Sequence, residues 1–142
     1  MNGLKDLNEF ERLKECLINC IPLAFYDSNV ETPTFLTTDA SGLGISAYLS
    51  QKNRFGVERP VYFLSRKLSE SEKSYSVSEK EFLAVLWGVE RLHQYLYGRP
   101  FTVRTDHQCL KQLLMNGVSG GSAPCRAIRW ATKLLQYNFI LM

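Results

Sequence analysis

Features of several specialised protein classes are absent from this sequence of 142 residues. It contains no run of about 18 apolar residues and no signal or transit-peptide pattern, so we expect it neither to cross a membrane nor to be secreted. Its four cysteines, at positions 16, 20, 109 and 125, have neither a zinc-binding spacing nor the density of a disulfide framework. The sequence therefore predicts an intracellular protein with reduced thiols.

Acidic residues are absent from the last quarter of the chain. Residues 1–106 contain 13 Lys or Arg and 14 Asp or Glu, whereas residues 107–142 contain four basic residues and no acid. Three of these bases, Arg126, Arg129 and Lys133, have the three- and four-residue spacing of one helix face. Such a face can bind the phosphates of a nucleic acid, or it can simply be solvated, and the sequence leaves both interpretations open.

The hydrophobic periodicity divides the chain into helices and strands. With 45% apolar residues, a chain of this length can bury a core without disulfides. An amphipathic pattern predicts a first helix, and alternation with turn residues predicts three strands joined as antiparallel hairpins. A long helix follows, and Ser76 and Glu79 predict a capping box at its start. After it come a strand, a short helix, a basic helix and a last strand. The predicted bounds, in order, are 4–20, 34–38, 43–51, 59–65, 76–96, 101–105, 107–115, 123–136 and 138–142.

Strands that alternate with helices in the second half favour parallel pairing through right-handed crossovers. The predicted fold is therefore α/β, with a mixed five-stranded sheet of three antiparallel hairpin strands followed by parallel strands with crossover helices. Apolar residues recur at helical spacing in two of the predicted helices. In the long helix they form a core-facing stripe of Phe82, Val85, Leu86, Val89, Leu92 and Leu96, and in the basic helix the spacing runs through Ile128, Ala131, Leu134 and Leu135.

Three carboxylates occur at the ends of predicted elements. Asp39 follows the first strand, Asp106 follows the fourth strand, and Glu81 lies near the start of the long helix. Taken singly, they can be explained as a turn residue, a helix cap and a favourable charge at a helix N-terminus. If the two strands are neighbours under the helix, however, the three side chains converge. An all-oxygen site without His or Cys selects a hard cation, Mg²⁺ or Mn²⁺.

Several blocks of the sequence together match one known pattern. They resemble the ribonuclease H domain of gypsy-class long-terminal-repeat retrotransposon polyproteins, in consistent order over residues 20–142. The resemblance implies a ribonuclease H-like fold. The blocks are Thr38-Asp39-Ala40-Ser41-Gly42-Leu43-Gly44, Leu49-Ser50-Gln51, Tyr62 to Leu68, Tyr75 to Trp87, and Tyr95 to His107.

The same resemblance implies a function and a set of site residues. The aspartate of the family's Asp-Ala-Ser motif falls on Asp39, the glutamate of its long helix on Glu81, and the aspartate of its Thr-Asp-His motif on Asp106. These positions imply catalysis with two bound Mg²⁺ or Mn²⁺ ions and hydrolysis of the RNA strand of an RNA–DNA hybrid. They also imply an upstream reverse-transcriptase domain of the same polyprotein as partner, in the cytoplasm, in the nucleus or in a virus-like particle.

The sequence departs from the family pattern near its C-terminal end. The family carries a fourth aspartate, in an Ala-Asp-Ala-Leu-Ser-Arg block, and a helix after the last strand, and neither occurs before Met142. We therefore expect either a C-terminally truncated domain or a catalytically impaired, domesticated copy that acts in nucleic-acid or protein binding. By the same resemblance, residues 1–30 are expected to be the tail of the reverse-transcriptase connecting region, and residues 31–142 the ribonuclease H-like domain.

Overall fold

The segments predicted as hairpin strands form the antiparallel half of a five-stranded sheet. The computed structural model of the chain describes residues 9, 11–12, 23–105 and 125–142. None of the helices in these ranges is both long and apolar enough to span a bilayer. The strands are β1 (Thr34–Ala40), β2 (Gly44–Lys52), β3 (Glu58–Lys67), β4 (Phe101–Arg104) and β5 (Phe139–Leu141), and the helices are α1 (Glu70–Lys73), α2 (Val77–Arg91), α3 (His93–Leu96) and α4 (Cys125–Leu134).

The sheet has the strand order β3-β2-β1-β4-β5. β1 pairs with β2, and β2 with β3, in antiparallel orientation. β4 lies parallel to β1, and β5 lies parallel to β4. This topology confirms the predicted mixed sheet. Residues 9, 11 and 12 have helical backbone, whereas the rest of the predicted first helix and the predicted helix 107–115 lie outside the described residues.

Helix α2 covers one face of the sheet. Its predicted apolar stripe is buried together with Leu36 and Leu49 of the sheet, so that part of the core prediction is confirmed. The helix approaches β1 and β2 most closely at Gly88. A Cβ atom built on this residue would lie 2.9 Å from Ala47 Cβ and 3.6 Å from Leu36 Cδ1. Only a residue without a side chain allows this helix-to-sheet distance.

The predicted long helix is interrupted near its C-terminal end. Helix α2 ends at Arg91, Leu92 has φ −105° and ψ 20°, and α3 begins at His93. Leu92 and Leu96 are 1% and 0% exposed. Both leucines therefore stay in the core despite the interruption.

Helix α1 was not predicted, although its N-terminus carries a complete capping box. Ser69 Oγ accepts a hydrogen bond from Glu72 N, and the Glu72 carboxylate accepts one from Ser69 N at 2.8 Å. The same carboxylate forms a bidentate ion pair with Arg66, at 2.7 and 2.9 Å. The Arg66 guanidinium, above all, lowers the pKa of Glu72 from 4.5 to about 2.

Helix α4 buries only part of its apolar spacing. Ala131 and Leu134 are buried, together with Ala127. Ile128 and Leu135, in contrast, are 40% and 70% exposed. Trp130, beside the buried residues, contacts Phe82 with a ring-centroid distance of 5.5 Å. Helix α4 therefore faces the core with Ala127, Ala131 and Leu134 rather than with Ile128 and Leu135.

The connector before β1 is attached to the domain by Arg99, which is 4% exposed. Its guanidinium donates to the hydroxyl of Tyr26 at 2.6 Å and to the carbonyl oxygens of Asp27, Asn29 and Thr32 at 2.8 to 3.0 Å. Gln51 adds bonds to the backbone N–H and C=O of Asp27. Residues 26–32 therefore pack with the sheet, while the domain boundary at residue 30 stays a prediction.

Replacing Gly88 with Ala should destabilise the fold. The new methyl group would clash with a strand residue, and overpacking of a core costs about 1 to 3 kcal/mol. The better helix propensity of Ala returns at most about 1 kcal/mol. Urea unfolding should show a net decrease in the free energy of unfolding. Gly42→Ala is the control, because nothing lies within 4 Å of its added Cβ, and equal stabilities of the two variants would contradict the close packing of α2.

The ion pair of Glu72 predicts a pH dependence of stability. Because the folded pKa of Glu72 is about 2, below the ordinary 4.5, its contribution is complete above pH 4.5 and is lost as the pH falls toward 2. Glu72→Gln should therefore reduce the free energy of unfolding by roughly 1 kcal/mol at neutral pH. Urea unfolding between pH 2 and 7 should show the two proteins converging at the acid end. A difference in free energy of unfolding that stays constant over this pH range would contradict the ionised Glu72 carboxylate as its cause.

Candidate metal centre

The parallel pairing of β1 with β4 determines where the candidate site lies. Thr37 of β1 is the Cα partner of Arg104 of β4, so both strands run toward the same end of the sheet. Asp39 is the second residue after Thr37, and Thr105 directly follows β4. A carboxylate at the end of β1 and the residues after β4 thus share one end of the domain.

Asp39 occupies the penultimate position of β1 and is exposed. Its Oδ1 accepts a hydrogen bond from the N–H of Ala40 at 2.9 Å. The turn that follows is held by Ser41, whose backbone N–H donates to Gly44 O at 2.8 Å and whose Oγ accepts from Gly44 N at 3.0 Å. These bonds fix the backbone next to Asp39.

Glu81 is a buried carboxylate near the N-terminus of α2, with 5% exposure. Thr105 Oγ1 donates a hydrogen bond to Glu81 Oε2 at 3.3 Å. The next residue along the helix, Phe82, is 1% exposed and anchors this turn in the core. Helix α2 therefore brings Glu81 to the end of β4, which is the end where β1 brings Asp39.

The third predicted ligand, Asp106, lies outside the described residues, as does His107. Within the described ranges, no group of three His, Cys, Asp or Glu side chains could hold a metal ion. The described part of the chain thus contributes Asp39 and Glu81 to the predicted site. Asp106 directly follows Thr105 in the sequence.

The predicted basic face of α4 is largely engaged with α2. Arg126 Nη1 lies 2.7 Å from Glu79 Oε2, and Lys133 Nζ lies 3.6 Å from Glu90 Oε1. Arg129 is exposed and forms no ion pair with any other described residue. The order of the two pairs shows that α2 and α4 run in the same direction.

Two contacts of the site were not anticipated from the sequence. The Glu81–Thr105 hydrogen bond joins residues 24 positions apart. Its one signal in the sequence is that Thr105 directly precedes the predicted ligand Asp106. Glu79 was assigned to a capping box, but its Oε1 bonds the hydroxyl of Ser76 at 3.2 Å and its Oε2 bonds Arg126. The Ser76 half of that cap is present, with Oγ accepting from Glu79 N at 3.2 Å.

The donor atoms at this end of the sheet fit a hard divalent cation. Asp39 and Glu81 offer carboxylate oxygens, the ligand type that Mg²⁺ and Mn²⁺ prefer. A carboxylate as buried as Glu81 is costly to keep charged without compensating partners.

Proteins with similar sequences are transposon polyproteins. Residues 29–137 match the family model of the RNase H-like domain found in reverse transcriptase. The chain is 38% identical over 133 residues to the retrovirus-related Pol polyprotein from transposon opus of Drosophila melanogaster, an alignment that covers 93% of this chain and 13% of that protein. The Pol polyprotein from transposon gypsy of the same fly is 35% identical over 132 residues, with 92% and 12% covered. The chain therefore spans about an eighth of the length of these relatives.

Solved structures with a similar fold include a viral polyprotein fragment and a free-standing enzyme. The foamy viral protease-reverse transcriptase in complex with RNA/DNA hybrid aligns with a TM-score of 0.62 at 19% identity, covering 84% of this chain and 16% of that chain. RNase H1 from Halobacterium salinarum NRC-1 aligns with a TM-score of 0.52 at 9% identity, covering 78% and 83%. At these identities the likeness shows the fold, which is ribonuclease H-like.

Proposed function

The chain belongs to the family of RNase H-like domains found in reverse transcriptases, and from this membership we propose that it hydrolyses the RNA strand of RNA–DNA hybrids. One observation carries the proposal. The buried carboxylate of Glu81 is hydrogen-bonded to Thr105, at the end of the sheet where Asp39 is the penultimate residue of β1. The residue after Thr105 is the third acid, Asp106.

In this proposal Asp39, Glu81 and Asp106 hold two Mg²⁺ or Mn²⁺ ions. When bound, such a pair of ions activates a water for in-line attack and stabilises the departing 3′ oxygen. The protein's own part is positional. The parallel strands β1 and β4 hold Asp39 and Thr105, the residue before Asp106, at one end of the sheet, and α2 supports Glu81 from the core.

The proposed substrate follows from the family and from the charges of the described surface. The similar foamy viral protein was solved with an RNA/DNA hybrid, and we infer the same substrate class here. Preference for the RNA strand would rest on contacts to 2′-hydroxyls across a wide minor groove. Arg129 is exposed and forms no ion pair with another described residue, so its guanidinium can reach a phosphate.

We further propose the polyprotein context that the relatives suggest. Their matches support a gypsy-class element, with a polymerase domain of the same polyprotein as the partner upstream of this chain. In that context residues 1–30 would belong to the connecting region, and residues 31–142 would form the ribonuclease H-like domain.

Divalent metal should stabilise the native fold. Ligand binding to the native state at 100 times its dissociation constant adds about 2.7 kcal/mol. Mn²⁺ or Mg²⁺ should therefore raise the melting temperature, and Asp39→Asn or Glu81→Gln should abolish the rise. Glu31→Gln, an exposed acid before the opposite end of β1, is the matched control and should keep it. A melting temperature that does not respond to either metal would refute the proposed centre.

Hydrolysis itself is tested with end-labelled strands. The chain with Mg²⁺ or Mn²⁺ should cleave the RNA strand of a hybrid and leave duplex DNA and duplex RNA intact, and Asp39→Asn should stop the reaction. Cleavage at an ordinary enzymatic rate, on the order of 1 per second or faster, would support the proposal. A metal-dependent melting shift without cleavage would instead support the impaired, nucleic-acid-binding copy.

A further inference from the structure

Helix α2 carries two acids that face different parts of the molecule. Glu79 and Glu81 are two residues apart, which places their side chains on roughly opposite sides of a helix, about 200° apart. Glu81 is buried and contacts Thr105 at the end of the sheet. Glu79 contacts α4. The first turns of α2 are therefore held from both sides.

Arg126 is the side chain that holds the Glu79 side. Its Nη1 lies 2.7 Å from Glu79 Oε2, and its guanidinium lies over the ring of Tyr75 at 4.0 Å from the centroid. Glu79 Oε1 in turn accepts from the hydroxyl of Ser76, the N-cap of α2. One guanidinium thus links α4 to the acid of the first turn and to the residue just before the N-cap.

Packing around this link involves the residue next to Glu81. Trp130, one helical turn after Arg126, lies 5.5 Å from Phe82 and 5.9 Å from Tyr75 between ring centroids. Because Phe82 directly follows Glu81, a shift of α4 would be transmitted to the carboxylate through one peptide unit. The ion pair and the aromatic contacts act on the same turn of α2.

We propose that Arg126 is a positioning residue for the Glu81 carboxylate rather than a phosphate contact. The inference rests on the proposed function, since it concerns the same metal centre. Arg126 is only 39% exposed at its side chain, and it is directed at an acid and a ring. A displacement of about 1 Å at a reacting centre can lower the rate a hundredfold, so fixing this turn matters to the site.

The pairing also compensates the charge of Glu79. Without Arg126 this carboxylate, two residues from Glu81, would lose its ion pair, and that change in charge is a second way in which the substitution would affect the metal response. Adding Glu79→Gln to Arg126→Ala separates the two effects. The double variant should stay impaired, because the link between α2 and α4 is still missing. Recovery of the parental metal response would assign the effect to the charge of Glu79 and contradict the positioning role.

The test compares metal binding with hybrid binding. Arg126→Ala should raise the Mn²⁺ concentration needed for half-maximal melting stabilisation on the order of tenfold, as loss of groups that orient metal ligands does. Arg126→Lys should lie between it and the parent. Hybrid affinity measured in EDTA should keep its salt dependence. Lys133→Ala removes the other α2–α4 ion pair, about 16 Å further along α2, and should leave the metal response unchanged.

Two results with the single Arg126 variants would also overturn the proposal. One is a parental metal response in both Arg126 variants. The other is a salt slope for hybrid binding reduced by about one, the signature of a lost phosphate contact, with metal affinity intact. Glu81→Gln serves as the reference. If it leaves the metal response unchanged, the metal centre itself is refuted; if it abolishes the response while the Arg126 variants do not change it, only the positioning role fails. Should Arg126→Ala be unfolded, Arg126→Lys decides alone.

Discussion

The close contact between α2 and the β1–β2 pair at Gly88 is the constraint on which the rest of the structure depends. A Cβ atom added to Gly88 would lie 2.9 Å from Ala47 Cβ. The helix therefore lies closer to the sheet than a residue with a side chain would allow. This distance lets Phe82, Val85 and Val89 pack against the strands at full burial. A helix seated so deeply has little freedom to translate, so the position of its N-terminal turn is set by the core. Hydrophobic packing therefore sets where Glu81 lies along the sheet, and the polar contacts of this turn with Arg126 and Thr105 act on the carboxylate within that position.

The same packing explains how a carboxylate can remain at the end of the sheet. Glu81 is 5% exposed, and the core that buries it supplies the free energy for an unfavourable charge. Like charges 4 Å apart near a protein surface repel by about 4 kcal/mol. An acid cluster of the proposed kind would therefore oppose folding until a cation joins it. In that arrangement the metal does not organise the fold; the core organises the acids, and the metal relieves their repulsion.

Much of the fold could be predicted from local patterns, because strand alternation and the stripe of α2 are set by neighbours in sequence. Asp39 and Glu81 could also be singled out, since both stand at element ends. Most of the features that local patterns missed are tertiary. The helical spacing of α4 runs through Ile128 and Leu135, but spacing alone does not say which residues face the core, and both side chains are exposed. The partners of Arg126 and Arg99 are likewise tertiary, 47 and 67 to 73 positions away in sequence. The capping box of Ser69 and Glu72 is different, because it is a local sequence pattern that could have predicted α1.

These pairings change the meaning of the charge excess in the last quarter of the chain. Arg126 and Lys133 are each matched by an acid of α2, so among the bases of α4 it is Arg129 that forms no ion pair with another described residue. One phosphate contact contributes a salt slope of only about 0.9, whereas firm nonspecific binding to a duplex uses about 6 to 10. The basic helix is therefore too weak a surface to hold a hybrid by itself. Under the proposed function, the position of the scissile backbone is then determined mainly by the carboxylate end of the sheet, and affinity for the rest of the hybrid has to come from other surfaces, including those of a polymerase domain.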